Sequence, residues 1–237
     1  QQVLFLARLP ARALPEELTG SRYLVLDGLQ DPGNLGTLWR TADAFGADGL
    51  LLLPGCADPW SPKTLRATMG ACFRLPVWEG KLEDLLPRLR GMFAFAIWDK
   101  RETALFLARD NFGIKPMHYT LLPDGDLLFG SEIKSLLAHP DFVKEFNPEA
   151  LDNYLSFQYS LPRDTFFKGV YCLQPGHYLW FKEGKVKERR YFESVFRPDE
   201  TMPLEEAVDE IDRAFTDSVE AHRISDVEVG CFLSGGV

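Results

Sequence analysis

The 237-residue sequence is 46% hydrophobic and 26% charged, which describes an ordinary globular chain and excludes a disordered one. No apolar run approaches the roughly 20 residues that a membrane span needs, and Val3-Leu-Phe-Leu-Ala7 is too short for the apolar core of a signal peptide, so a cytoplasmic location without membrane partners is expected. The net charge of −9 falls wholly on residues 91–237, which argues against a nucleic-acid backbone as that part's main partner, while residues 1–90 carry balanced charge. Cys56, Cys72, Cys172 and Cys231 are scattered without CxxC spacing, so they read as reduced structural thiols with no metal site.

Along the first stretch, Tyr23-Leu-Val-Leu-Asp27 reads as a buried parallel strand. Asp31-Pro-Gly-Asn34 is a turn with Asn34 placed to cap the following helix, Gly36 to Phe45, which stops at Gly46. Gly49 to Pro54 is a second strand, Ser61-Pro62-Lys63 opens a second helix, Arg74 to Trp78 is a third strand and Leu82 to Leu89 a third helix. This βαβαβα order predicts an open parallel sheet, whose ligands bind beyond the strands' carboxyl ends, near Asp31–Arg40. Asn34 and Arg40, an amide and a fixed cation, suit holding a phosphate or orienting a ribose hydroxyl. A bare cap and a snorkelling cation account for the same spacing.

The segment Asp31-Pro-Gly-Asn-Leu-Gly-Thr-Leu-Trp-Arg-Thr-Ala-Asp-Ala-Phe-Gly46, followed by Ser61-Pro-Lys-Thr-Leu-Arg-Ala-Thr-Met-Gly-Ala71 and Arg74-Leu-Pro-Val77, resembles the SpoU/TrmH ribose 2′-O-methyltransferases of the knotted SPOUT class. The resemblance implies that Asn34 and Arg40 are catalytic, helping to activate a 2′-hydroxyl of RNA, with S-adenosylmethionine as cofactor. It also makes residues 1–20 a connector and 21–89 a partial SPOUT domain. The family's later cofactor-binding motifs, a Gly-x-Glu loop and the Ile-Pro-Met and Ser-Leu-Asn runs, do not follow Leu89, so no methyl-donor site is expected.

The rhythm changes near Leu85–Asp99, the seam between two architectures. Met92–Trp98 and Ala104–Arg109 form a hairpin around Asp99–Thr103, and Met117–Leu122 with Asp126–Gly130 form another through Pro123-Asp-Gly125. Ser131–Lys134 opens a short helix, and Asn147 caps another that runs to about Gln158. His177–Phe181 and Val186–Tyr191 pair through Glu183-Gly184. Leu204, Val208, Ile211, Phe215 and Val219 recur at helical spacing from Pro203 onward, giving an amphipathic helix of about five turns. Val229–Leu233 reads as a strand delivering Ser234-Gly235-Gly236, which is either a plain turn or a phosphate-binding nest.

In order, Gly91–Asp99, Ala108-Arg-Asp-Asn-Phe-Gly-Ile-Lys-Pro116, Gly130-Ser-Glu-Ile-Lys134, Leu173-Gln-Pro-Gly-His-Tyr178 and Gly230-Cys-Phe-Leu-Ser-Gly-Gly236 closely resemble glutamine-hydrolysing asparagine synthetases. That family joins an amino-terminal-nucleophile glutaminase to an ATP-pyrophosphatase synthetase. The resemblance implies glutamine, aspartate and ATP with magnesium as small-molecule partners, Leu233 against the nucleotide, and Ser234, Gly235 and Gly236 around its phosphates. Residues 90–196 are then the carboxyl-terminal part of the glutaminase domain and 197–237 the start of the synthetase domain. Position 1 is Gln rather than the nucleophilic Cys, and the Asp and Ser that complete the pyrophosphate loop do not follow Gly236, so the chain is expected to be catalytically incomplete for both families.

The expected fold is therefore α/β plus α+β: a partial open parallel βαβ sheet (half of a SPOUT fold) joined to a partial antiparallel glutaminase sandwich and the first strand of an ATP-pyrophosphatase domain. The expected activity is that of an inactive asparagine-synthetase-like fragment; an RNA methyltransferase fragment and a chimera or scaffold with no activity are the alternatives.

Overall fold

The structure, a computed structural model, describes residues 8–16, 18–159, 163–223 and 225–232. It is mixed α/β, with parallel and antiparallel sheets, and divides into two compact units, Gln1–Leu89 and Arg90–Val237.

In the first unit β1 (Tyr23–Leu26), β2 (Gly49–Leu52) and β3 (Val77–Glu79) form a parallel sheet in that order. Central β2 is buried at every position, which is why it reads as a continuous apolar run. Leu24, Leu26, Leu50, Leu52 and Val77 share one core with Leu35, Trp39 and Ala42 of α1 (Pro32–Ala44), residues spaced to line one side of a helix. Trp39 is fully buried; its Nε1 donates to the Leu75 carbonyl at 3.0 Å, and its ring meets Trp60 edge-on at 5.8 Å. α2 (Pro62–Ala67) packs so closely on α1 that a Cβ at Gly36 would lie 2.6 Å from the Thr64 carbonyl oxygen.

Helix α1 starts earlier than its sequence suggests. Asp31 is the cap, its carboxylate accepting from the Asn34 N–H at 2.8 Å, and Pro32 occupies the first position, where its missing N–H costs nothing. Asn34 therefore lies inside the first turn and does not cap the helix. Asp31→Ala is expected to lower the stability of this unit by about 1 kcal/mol, seen as faster amide exchange at Asn34 and Leu35; unchanged exchange would remove the capping role.

Two further boundaries shift. Ala71–Phe73 forms a 3₁₀ turn that delays the third strand to Val77, and Arg74 instead pairs with Asp43 on α1. α3 (Leu82–Leu85) passes into a 3₁₀ turn at Leu86–Arg88, because Pro87 has no N–H to continue the helix.

In the second unit β4 (Ala94–Asp99), β5 (Ala104–Arg109), β9 (His177–Lys182) and β10 (Lys185–Arg190) form an antiparallel sheet in the order β10-β9-β5-β4. β6 (His118–Leu121), β7 (Leu127–Gly130) and β8 (Val170–Cys172) form a second sheet in the order β7-β6-β8. Leu105, Leu107 and Leu179 from the first sheet share a core with Tyr119 from the second, together with Met117 and Leu173. The other face of the first sheet gathers Phe95, Phe106, Tyr178 and Trp180, leaving Phe106 fully buried among rings. The β9–β10 turn places Glu183 and Gly184 both at positive φ (52° and 69°), the conformation that matches the twist of a tight hairpin.

Helices α4 (Ile133–Leu137) and α5 (Pro148–Phe157) follow as expected, with Asn147 capping α5. α6 (Leu204–His222) presents its predicted apolar stripe with none of those side chains buried, and Arg90 pairs with Asp217 on it. The strand expected at Val229–Leu233 does not form over Val229–Phe232, which is exposed and joins no sheet among the described residues. A strand needs a ladder partner, and an apolar run alone does not supply one.

Candidate functional site

All three strands of the first sheet end on the same side. There the loops after β2 and β3 border a cleft of about 510 Å3 lined by Arg12, Asp58, Glu79, Lys81 and Asp84. The Arg12 guanidinium spans it, 3.2 Å from Asp58 and 3.4 Å from Glu79, while the Glu79 N–H donates to the Arg12 carbonyl at 2.6 Å. Neither Asn34 nor Arg40 lines this cleft. Both are exposed on α1, where helical geometry sets positions six apart about 120° around and about 9 Å along the axis. The structure does not bring the two to one face, because Asn34 sits in the helix rather than ahead of it.

The second unit holds a denser polar arrangement at Arg109–Lys115. Asp110 is 1% exposed, and its carboxylate accepts from the backbone N–H groups of Ile114 (3.0 Å), Lys115 (3.0 Å), Phe112 (3.2 Å) and Phe93 (3.3 Å). Burial alone would raise its pKa; the four N–H groups outweigh burial and hold the carboxyl below its ordinary value. Arg109 complements this by donating to carbonyls, at 2.7 Å to Lys115 and Leu173 and 2.5 Å to Gly113. Gly113, at φ +66°, lies so near the guanidinium that a Cβ would meet Cζ at 3.0 Å. One acid and one base thus fix opposite polar sides of the same loop.

Beside the loop, Arg109 also donates to Cys172 Sγ at 3.1 Å. Burial pushes the Cys172 thiol up despite that cation, the reverse of what an activated nucleophile needs. Tyr119 donates to Glu188 at 3.0 Å, linking the two sheets through a phenol whose pKa burial raises. Cys56 in the first unit donates to the Leu26 carbonyl and accepts from the Leu29 N–H, as a structural thiol does. All four cysteines are free, and among the described residues no cluster of His, Cys, Asp and Glu could hold a metal ion.

Leu233, Ser234, Gly235 and Gly236 lie outside the described residues. The Arg109–Asp110 pair stands in the sequence within Ala108–Pro116, but nothing in a linear motif shows that its charges serve backbone groups.

Residues 73–192 match the glutamine amidotransferase domain, and residues 210–237 match asparagine synthase. Asparagine synthetase [glutamine-hydrolyzing] 1 of Bacillus subtilis is 41% identical over 156 residues, 65% of this chain and 24% of that protein. Amidase chyE of Penicillium rubens is 35% identical over 159 residues, 65% of this chain and 23% of that protein. The chain spans about a quarter of the length of these relatives. Among solved structures, an AdoMet-bound rRNA methyltransferase from Sinorhizobium meliloti is 42% identical over 34% of this chain and 31% of its own, at a TM-score of 0.30. The SpoU methyltransferase AviRb from Streptomyces viridochromogenes is 37% identical over 25% of this chain and 23% of its own, at a TM-score of 0.24. The family models and the curated relatives agree on a likeness to glutamine-hydrolysing asparagine synthetases. With half of its length matching the glutamine amidotransferase domain, the chain belongs to the glutamine amidotransferase family.

Proposed function

We propose that residues 90–196 are part of an asparagine-synthetase-type glutaminase domain, that residues 197–237 begin an ATP-dependent synthetase domain, and that this chain by itself turns over no glutamine. The match across residues 73–192 supports the assignment. Thiol chemistry supports the inactivity. A glutaminase attacks with a thiolate, whereas burial pushes the Cys172 thiol up and Cys56 serves backbone groups. The nucleotide would be held by Leu233, Ser234, Gly235 and Gly236, and ATP with magnesium would supply the activation of aspartate. An electrophilic glutamine analogue is expected to leave the mass of the purified chain unchanged, while iodoacetamide at neutral pH labels exposed Cys231. Stoichiometric labelling of one cysteine by the analogue would overturn the proposal.

A second reading concerns residues 21–89, with Asn34 and Arg40 acting on an RNA 2′-hydroxyl. Their exposure on α1 favours it, and their separation around the helix disfavours joint action on one group.

A further inference from the structure

We propose that residues 11–15 form a strap, keyed by Arg12, that lies across the carboxyl ends of β2 and β3 and is released by salt without unfolding the sheet beneath it. The segment joins the sheet as a short parallel addition to β3: Ala13 bridges to Glu79, and the Glu79 N–H donates to the Arg12 carbonyl at 2.6 Å. On the other side of β3 the Gly80 N–H donates to the Leu52 carbonyl at 3.1 Å. Successive backbone groups of a strand point to opposite sides, so two adjacent amides face two different partners. Glu79 serves the strap and Gly80 serves the sheet.

The two ends of the strap are held differently. The Pro15 carbonyl accepts from Arg88 Nε at 3.1 Å and from Nη2 at 2.7 Å, and both Leu14 and Pro15 are half-buried. Ala11, Arg12 and Ala13 are exposed, and the hold there is electrostatic. The Arg12 guanidinium reaches Asp58, on the loop after β2, at 3.2 Å and Glu79, at the end of β3, at 3.4 Å. The three side chains are 41%, 54% and 43% exposed. Asp58 is a prepared acceptor, because the Trp60 N–H also donates to its Oδ1, at 3.1 Å.

Exposed ion pairs are weak one at a time and are screened by salt. Two of them on one guanidinium, beside an exposed backbone bond, make a contact that opens locally, whereas neighbouring β2 is buried at every position. Pro15, which Arg88 keeps in place, is then the hinge. Open parallel sheets take ligands beyond the carboxyl ends of their strands. The closed strap sets Arg12 into the cleft at that end, and its release clears the cleft and frees the Asp58 and Glu79 carboxylates.

The test is amide exchange at Glu79 and Gly80 in the full chain, read by NMR at low salt and at about 1 M sodium chloride, where the Debye length is about 3 Å. At low salt Glu79 is expected to be protected, but less than Gly80. High salt is expected to speed exchange at Glu79 about fivefold and to leave Gly80 unchanged. Arg12→Ala is expected to give the same acceleration at low salt, with nothing left for salt to add. Asp58→Asn removes one of the two ion pairs and is expected to give a smaller acceleration that salt still increases. Equal protection of the two amides, a Glu79 amide indifferent to both salt and Arg12→Ala, or one unprotected in the wild type at low salt would each overturn the proposal.

Discussion

Replacing Asp110 with Ala is expected to lower the stability of the second unit by about 3–5 kcal/mol, the largest loss in that unit from removing a single polar side chain. Four backbone N–H groups converge on its buried carboxylate, and truncation leaves them without an acceptor. Each stranded donor costs about 1–3 kcal/mol, reduced when the loop relaxes to reach water. Asp110→Asn keeps one acceptor oxygen but loses the charge, so about half the loss is expected. Urea midpoints, with exchange rates of the Phe112, Ile114 and Lys115 amides, measure both. A loss under about 1 kcal/mol for the Ala variant would mean that the loop is held elsewhere.

The same carboxylate gives this unit an acid limit. Because the folded pKa of Asp110 lies below the ordinary 3.8, its contribution is fully present above that value and is lost as pH falls through the lower, folded one. The acid transition of wild type is therefore expected to soften in Asp110→Asn, whose amide does not titrate. Identical acid slopes in the two proteins would contradict the assignment.

Trp39→Ala is expected to lower the stability of the first unit by about 3–5 kcal/mol, through the cavity left by a fully buried indole. The Leu75 carbonyl also loses its donor, and Trp60 its edge-on neighbour. Trp39→Phe keeps most of the volume and separates these terms; about 1 kcal/mol should be attributable to the hydrogen bond. Amide exchange at Leu50, Leu51 and Leu52 reports the loss. Protection unchanged by Trp39→Ala would show that α1 does not secure the sheet.

Strands and hairpins were legible where the chain carries its own partner. Strand β2 showed as an unbroken apolar run because it is buried on both faces, and Glu183-Gly184 showed as a turn because the hairpin needs positive φ there. Val229–Phe232 looks equally apolar yet joins no ladder, since composition does not reveal whether a partner lies alongside. Strand β8 went unseen because three residues are too few to display alternation. The start of α1 is ambiguous in the sequence because Asp31 and Asn34 are both good caps, and Pro32 at the first position decides between them.

The candidate sites were legible as motifs rather than as chemistry. Arg109 and Asp110 were visible as a charged pair within a familiar segment, but their work on backbone carbonyls and N–H groups depends on how the loop closes. A cap at Asn34 would aim both Asn34 and Arg40 at the helix start. Once Asn34 enters the first turn, that convergence is gone.

The most direct measurement is glutamate released from L-glutamine by the purified full chain, with and without ATP, magnesium and aspartate. Release at the buffer rate under both conditions is the predicted result, because burial pushes the Cys172 thiol up and Cys56 serves backbone groups. Saturable release abolished by Cys172→Ala, with the fold retained, would contradict it and assign this chain a working nucleophile.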